Sequence, residues 1–312
     1  MPTHRNRIET LLDVVGDIPL SEIDRNKIRE FRDILRKLPP NRHKKEYGNK
    51  TAQELIALNL KETLNIKTIN VTMQAISGMF EWGIEEGYLE TNPARNLSIK
   101  DNRQVIELRE AFTEQEVRKI FFSGDYLSSA FKNPAYYWVP LIGLYTGMRL
   151  EEICQLHTRD IYQEDELWII DINLDSNDGI NDKILKSKNA IRKIPIHNDL
   201  VEFGFIKYCN DMKQNSNRLF PLLNKTDKSP KYGKQVGKQF SNWIKNKGIF
   251  GKKSFHSLRH TFSDYFKKRN LQSDIFTQVF GHEQVRLSIK QYGSKFSVLQ
   301  CYNEVISKLH WS

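Results

Sequence analysis

The sequence predicts a mainly α-helical protein of two domains, the second interrupted by a small β-sheet or hairpin. Three observations point there. Apolar residues recur at helical spacing from Ile8 to about Leu97. The pattern then lapses through a charged, aperiodic stretch that begins at Asn92-Pro93 and suits a linker. Order returns at Phe112, where helical patterns alternate with two short β-rich runs. The expected organisation is a helical domain over 1–97, a linker over 98–111 and a second domain over 112–312, and 312 residues suffice for two cores.

Each element has its own signal. Asp24 to Leu38 places Ile28, Phe31, Ile34, Leu35 and Leu38 on one face and stops at Pro39-Pro40. Thr68 to Glu86 repeats the pattern through Ile69, Met73, Ile76, Phe80 and Gly83, with Gly87 as its stop. Thr113 and Glu116 have capping-box spacing ahead of Val117, Ile120 and Phe121. The apolar run Trp138 to Tyr145 predicts a buried helix ending near Gly147, and a new helix follows over Leu150 to Leu156. Leu167–Ile172 and Lys193–Ile196 are the β-rich runs. Phe296 to Trp311 carries an apolar stripe, so a terminal helix either folds back on its own domain or docks on a neighbouring protomer.

Composition narrows the partners. Lys and Arg total 48 against 38 Asp and Glu, a formal charge of +10. Such an excess favours a polyanion, because each cation set on a phosphate releases condensed counterions. Cys154, Cys209 and Cys301 are odd in number and scattered, so neither a disulfide framework nor a zinc site is expected. The N-terminus lacks the apolar core of a secretory signal, and no run reaches the ~20 apolar residues that span a bilayer. The expected location is the cytoplasm, at the nucleoid, with no membrane partner.

Four local patterns in the second domain carry chemistry. Arg149, in Thr146-Gly147-Met148-Arg149, opens a helix whose free backbone N–H groups and guanidinium both suit a phosphate oxygen. An ion pair with Glu152, one turn on, explains the same residues equally well. Lys186 and Lys188 lie in a cation-loaded turn, Leu185 to Pro195, which taken alone reads as a solvated turn. His256 and Arg259 share a helix face behind Ser254, where the guanidinium favours a neutral, proton-accepting imidazole. Gly281-His282 ends one helix and opens the next, and Tyr292 follows ten positions later.

In order and spacing, these motifs resemble the tyrosine recombinases, the phage-integrase family, across roughly residues 112 to 295. Residues 8 to 97 are similar in pattern to that family's core-binding domain. The resemblance implies a two-domain clamp on double-stranded DNA at attachment or core sites. It implies Tyr292 as nucleophile, forming a 3′-phosphotyrosine, with Arg149, Arg259 and His282 on the attacked phosphate. His256 is the candidate general base and Lys186, or else Lys188, the acid for the leaving 5′ oxygen. Glu152 is expected to orient Arg149 rather than react. Neither metal nor cofactor is implied, and the sequence holds no carboxylate pair with ligand spacing and no glycine-rich phosphate loop.

The resemblance further implies a homotetramer on DNA joined by cyclic exchange of the terminal helix. Accessory directionality or DNA-bending proteins fit the same picture. The expected role is integration or excision of a phage or mobile element. Rival readings are a type IB topoisomerase-like relaxing enzyme, a non-catalytic DNA-binding protein on the same fold, and a plain basic helical scaffold. No arm-binding domain precedes the helical domain, so the chain reads as a compact recombinase or as part of a longer protein.

Overall fold

The computed structural model describes residues 2–42, 45–48, 50–101, 110–128, 131–175, 183–187, 190–226, 230–281 and 295–311. The chain divides into two compact units, Met1–Arg103 and Gln104–Ser312.

The first unit contains helices α1 (Pro2–Val15), α2 (Arg25–Leu35), α3 (Ala52–Ala57) and α4 (Ile66–Glu85). Ile28, Phe31, Ile69, Met73, Ile76 and Phe80 form the centre of its core. Short side chains start three of these helices by accepting from an exposed backbone N–H. Asp24 accepts from Lys27 and Asn65 from Thr68, while Thr51 and Glu54 cap each other. Helix α4 thus begins at Ile66, earlier than the periodicity beginning at Thr68 suggests, because Asn65 sets the boundary. It ends at Gly87, whose φ of +78° is the left-handed conformation that glycine adopts without strain.

The aperiodic stretch after Asn92 is fixed to this unit as far as Ile99. Asn92 Nδ2 donates to the Ser77 carbonyl and to Glu81 on α4, and the Ile99 and Asn70 amides exchange hydrogen bonds at 2.7 and 2.8 Å. Ala94 and Leu97 enter the core, so sparse anchors replace periodicity here.

The second unit builds a larger core from helices and a sheet. Its helices are α5 (Glu114–Phe121), α6 (Asp125–Ser128), α7 (Pro134–Thr146), α8 (Leu150–Cys154), α9 (Asn198–Glu202), α10 (Phe205–Asn215), α11 (Lys234–Asn246), α12 (Phe255–Lys268) and α13 (Asp274–Phe280). Strands β1 (Ile161–Glu164), β2 (Leu167–Ile172) and β3 (Arg192–Pro195) form an antiparallel sheet in that order. Asp165 and Glu166, both at positive φ, make the tight turn between β1 and β2.

Helix α7 is buried from Trp138 to Thr146, as its apolar run requires, and packs on α12 at close range. A Cβ at Gly143 would lie 2.8 Å from the Phe255 ring, so only glycine permits that approach. No helix among the described residues is long and apolar enough to cross a membrane.

The terminal segment folds back on its own unit, the first of the two arrangements its stripe allows. Its helix, Val298–Glu304, lies against β3 and α13, and Val305, Ile306, Leu309 and Trp311 are buried. The Tyr265 hydroxyl donates to the Lys308 carbonyl and accepts from the His310 N–H, while the His197 ring meets the Leu309 carbonyl at 3.1 Å. This apolar burial is what holds the segment in place within a single chain.

Truncating Leu309 to alanine in this fully buried site should cost about 2–4 kcal/mol of stability. Urea denaturation at several protein concentrations checks it. A loss that is the same at every concentration is expected of packing within one chain; a loss that grows on dilution would indicate packing between chains.

Candidate active site

The site is assembled where three helix ends meet. Helix α7 terminates at Gly147, with φ of +63°, and a Cβ there would lie 2.8 Å from the Phe262 ring. Glycine is therefore required by conformation and by space. The chain reverses and Arg149 becomes the residue before the first turn of α8. Helix α13 ends in the same way at Gly281, with φ of +69°, where a Cβ would strike the Arg192 guanidinium at 2.7 Å.

Arg259, on α12, reaches both of those C-terminal ends. Its Nη1 donates to the Gly147 carbonyl at 2.6 Å and its Nη2 to the Phe280 carbonyl at 2.7 Å. Its guanidinium also lies 3.7 Å above the Phe280 ring. Helix C-termini carry unpaired carbonyls and the negative end of the dipole, so two of them make a strong seat for one cation. Arg192, from β3, takes the adjacent carbonyl: its Nε donates to Val279 at 2.7 Å and its Nη1 to Ala190 at 2.8 Å.

Glu152 ties these arginines together. One oxygen accepts from Arg149 Nη1 at 2.6 Å, and the other from Arg192 Nη2 at 3.1 Å and from the Arg149 backbone N–H at 3.2 Å. Its side chain is only 4% exposed, yet its carboxyl is held below the ordinary carboxylate range. Burial pushes it upward, and the Arg192 and Arg149 guanidiniums outweigh that push.

The cluster is short of negative charge. Three guanidiniums against one carboxylate leave a formal +2. Burial first, then repulsion from Arg149 and Arg192, brings the Arg259 guanidinium down to about 9. It stays protonated at neutral pH under electrostatic stress that a bound anion would relieve. Arg149 is the outermost member, with a side chain 22% exposed against 1% for Arg192.

The structure thus brings Arg149, Glu152 and Arg259 together, and Glu152 pairs with Arg149 as sequence spacing allows. His256 sits one turn before Arg259, half-buried, with its ring 5.0 Å from that of His260. Lys186 is exposed on the connection between β2 and β3. Lys188, His282 and Tyr292 lie outside the described residues. Arg192 is the member that sequence reasoning did not single out. It had a signal: Arg192, Ile194 and Ile196 alternate, which puts a charged side chain on the inward face of a strand.

The Phage integrase family model matches residues 110–296, more than half of the 312-residue chain. The chain belongs to this family of tyrosine recombinases. The phage integrase match covers α5 to α13, the sheet and every arginine of the cluster. A tyrosine recombinase XerC-like protein of Caldanaerobacter subterraneus subsp. tengcongensis is 24% identical over 249 residues, 72% of this chain. The chain spans 62% of that relative's length.

Two solved integrases share the fold. The Tn1549 transposon integrase in complex with transposon right end DNA is 18% identical with a TM-score of 0.60, over 98% of this chain and 93% of that one. A lambda integrase tetramer bound to a Holliday junction is 15% identical with a TM-score of 0.55, over 95% of this chain and 74% of that one.

Glu152→Gln should destabilise the protein by about 3–5 kcal/mol at pH 7, because it leaves three buried or half-buried guanidiniums uncompensated. A glutamate whose folded value lies below the ordinary 4.5 contributes stability that is present above that pH and lost as pH falls through the folded value. The gap between wild type and Glu152→Gln in urea denaturation should therefore be widest at neutral pH and shrink below about pH 4.5. A gap unchanged between pH 7 and pH 3 would count against the ion-pair account.

Proposed function

We propose that this chain is a site-specific DNA recombinase that breaks and rejoins strands through a 3′-phosphotyrosine at Tyr292, serving integration or excision of a phage or mobile element. The observation that carries the reading is the arginine cluster: a formal +2 with Arg149 at its outer edge exceeds the single negative charge of a bound phosphodiester and equals the two that the phosphate bears as a nucleophile adds to it. Family membership supports it, since the cluster lies wholly within the matched residues.

The chemistry follows from the groups. A phosphodiester resists nucleophiles because its own charge repels them, and charge builds on the non-bridging oxygens in the transition state. Arg149 and Arg259 would stabilise those oxygens, with His282 as a further donor. Both arginines are oriented beforehand, Arg149 by Glu152 and Arg259 by two carbonyls, so little reorganisation accompanies binding. His256 would take the proton of the Tyr292 hydroxyl as its oxygen attacks phosphorus. Lys186, or Lys188 in the alternative register, would protonate the departing 5′ oxygen.

The phosphotyrosine keeps the energy of the broken ester, so an incoming 5′-hydroxyl can displace the tyrosine and reseal the strand. Duplex DNA at a core site is the substrate in this reading. Exchange between two duplexes calls for four copies, as in the lambda integrase tetramer on its junction. Linkage of copies through the terminal segment would require its helix to leave β3 and α13, and the Lys308 and Leu309 carbonyls that follow to leave Tyr265 and His197.

A nicked suicide duplex bearing the element's core site provides the test. Wild type should form a protein–DNA adduct on denaturing gels and Tyr292→Phe none, while both bind the duplex equally. Binding by both proteins with an adduct in neither would favour a non-catalytic DNA-binding role.

A further inference from the structure

We infer that Lys183, Asp160, Asn173 and Gln155 form a buried anchor that positions Lys186 for its step, an inference that rests on the acid role proposed for the lysine of this loop. Lys183 lies three residues before Lys186 in a segment rich in cations, yet its side chain is only 2% exposed and cannot meet DNA. Its ammonium donates to both Asp160 oxygens at 2.8 Å and to Asn173 Oδ1 at 2.7 Å. Those three bonds use all three of its hydrogens. Asp160 is itself fixed, accepting from the His157 N–H at 2.7 Å and from Asn173 Nδ2 at 3.2 Å.

The next residue is held as well. The Gln155 side chain pairs with the Ile184 backbone as a strand would, accepting from its N–H at 2.9 Å and donating to its carbonyl at 3.2 Å. Beyond Lys186 the loop is tied down again: the Ala190 N–H donates to the Ser187 carbonyl, and the buried Ala190 offers its own carbonyl to Arg192.

Both roots of the Lys186 loop therefore lead to α8. Gln155 is the C-cap of that helix and Asp160 closes the 3-10 turn that follows it, Thr158–Asp160, while Arg192 is paired to Glu152 on the first turn of α8. Arg149 begins the same helix. The short stretch from Arg149 to Asp160 thus fixes the phosphate-binding arginine and the lysine loop in one frame. A hydrophobic side chain could fill the Lys183 position without the desolvation cost of a buried ion pair. Fixing the loop's register gives the pair a role that packing alone would not.

The test separates positioning from structure through the leaving group. A 5′-bridging phosphorothiolate releases a thiolate, which needs no proton, so an enzyme lacking its general acid is impaired only on the normal oxygen substrate. Lys186→Ala, Lys183→Met and Gln155→Ala are compared with wild type on nicked core-site duplexes carrying oxygen or sulfur at the scissile 5′ position. Gln155→Ala removes the two bonds to Ile184 and leaves the Lys183–Asp160 pair in place, so it serves where Lys183→Met, which strands the Asp160 carboxylate, fails to fold.

Adduct formation on the oxygen substrate should fall on the order of ten- to a hundredfold in Gln155→Ala and further in Lys186→Ala, with sulfur cleavage within about twofold of wild type. Equal losses on both substrates would make the anchor merely structural and overturn the inference. So would oxygen cleavage at the wild-type rate in the anchor variants, or in Lys186→Ala. Absence of any adduct from wild type on either substrate would instead remove the recombinase reading itself, and the inference with it.

Discussion

Three guanidiniums cannot share a protein interior unaided, and the second unit is arranged around that constraint. Desolvation alone would expel them. Glu152 neutralises one charge, and the carbonyls of Gly147, Val279 and Phe280 supply dipoles for the rest. Each of those carbonyls is free because a helix ends there, and each helix ends there because a glycine takes positive φ. The close packing of α7 on α12 brings the α7 terminus under Arg259. The sheet delivers Arg192 to the α13 terminus. Loss of any one support would leave a buried cation exposed to its like-charged neighbours.

The same arrangement grades the arginines by task. Arg192, innermost and bound to three different acceptors, is a strut between β3, α13 and Glu152. Arg149, outermost and held by Glu152, has its fork near the surface. Arg259 lies between them, and its bonds to the Gly147 and Phe280 carbonyls use two of the five N–H groups of a guanidinium. An anion arriving at Arg149 and Arg259 would meet donors already oriented and a local field already positive. Preorganisation of that kind lowers a barrier more than flexible cations can, because no reorganisation accompanies the build-up of charge.

Much of this was legible in the sequence, for identifiable reasons. The α7–Gly147–Arg149 corner announces itself by an apolar run, a glycine and a cation in immediate succession. Arg259 is visible through its spacing from His256 on one helix. What stayed hidden depends on pairings that are distant in the chain. Arg192 and Lys183 sit in a segment whose dense positive charge resembles a solvated turn, yet both are buried, because Glu152 and Asp160 arrive from 40 and 23 positions away. Strand β1 escaped notice since only Ile161 of its four residues is buried, too short an alternation to register. The fate of the terminal stripe was undecidable from periodicity, which specifies an apolar partner but not whose; β3, α13 and the Tyr265 ring supply it within the chain.

The most direct measurement is a crystal structure of the wild-type protein trapped on a nicked core-site duplex. The account requires the phosphate joined to Tyr292 to have its non-bridging oxygens within about 3.2 Å of guanidinium nitrogens from Arg149 and Arg259, with Arg192 still paired to Glu152. A phosphate held by other residues, or an Arg192 that abandons Glu152 to reach it, would contradict the claim that this cluster is a preassembled phosphate site.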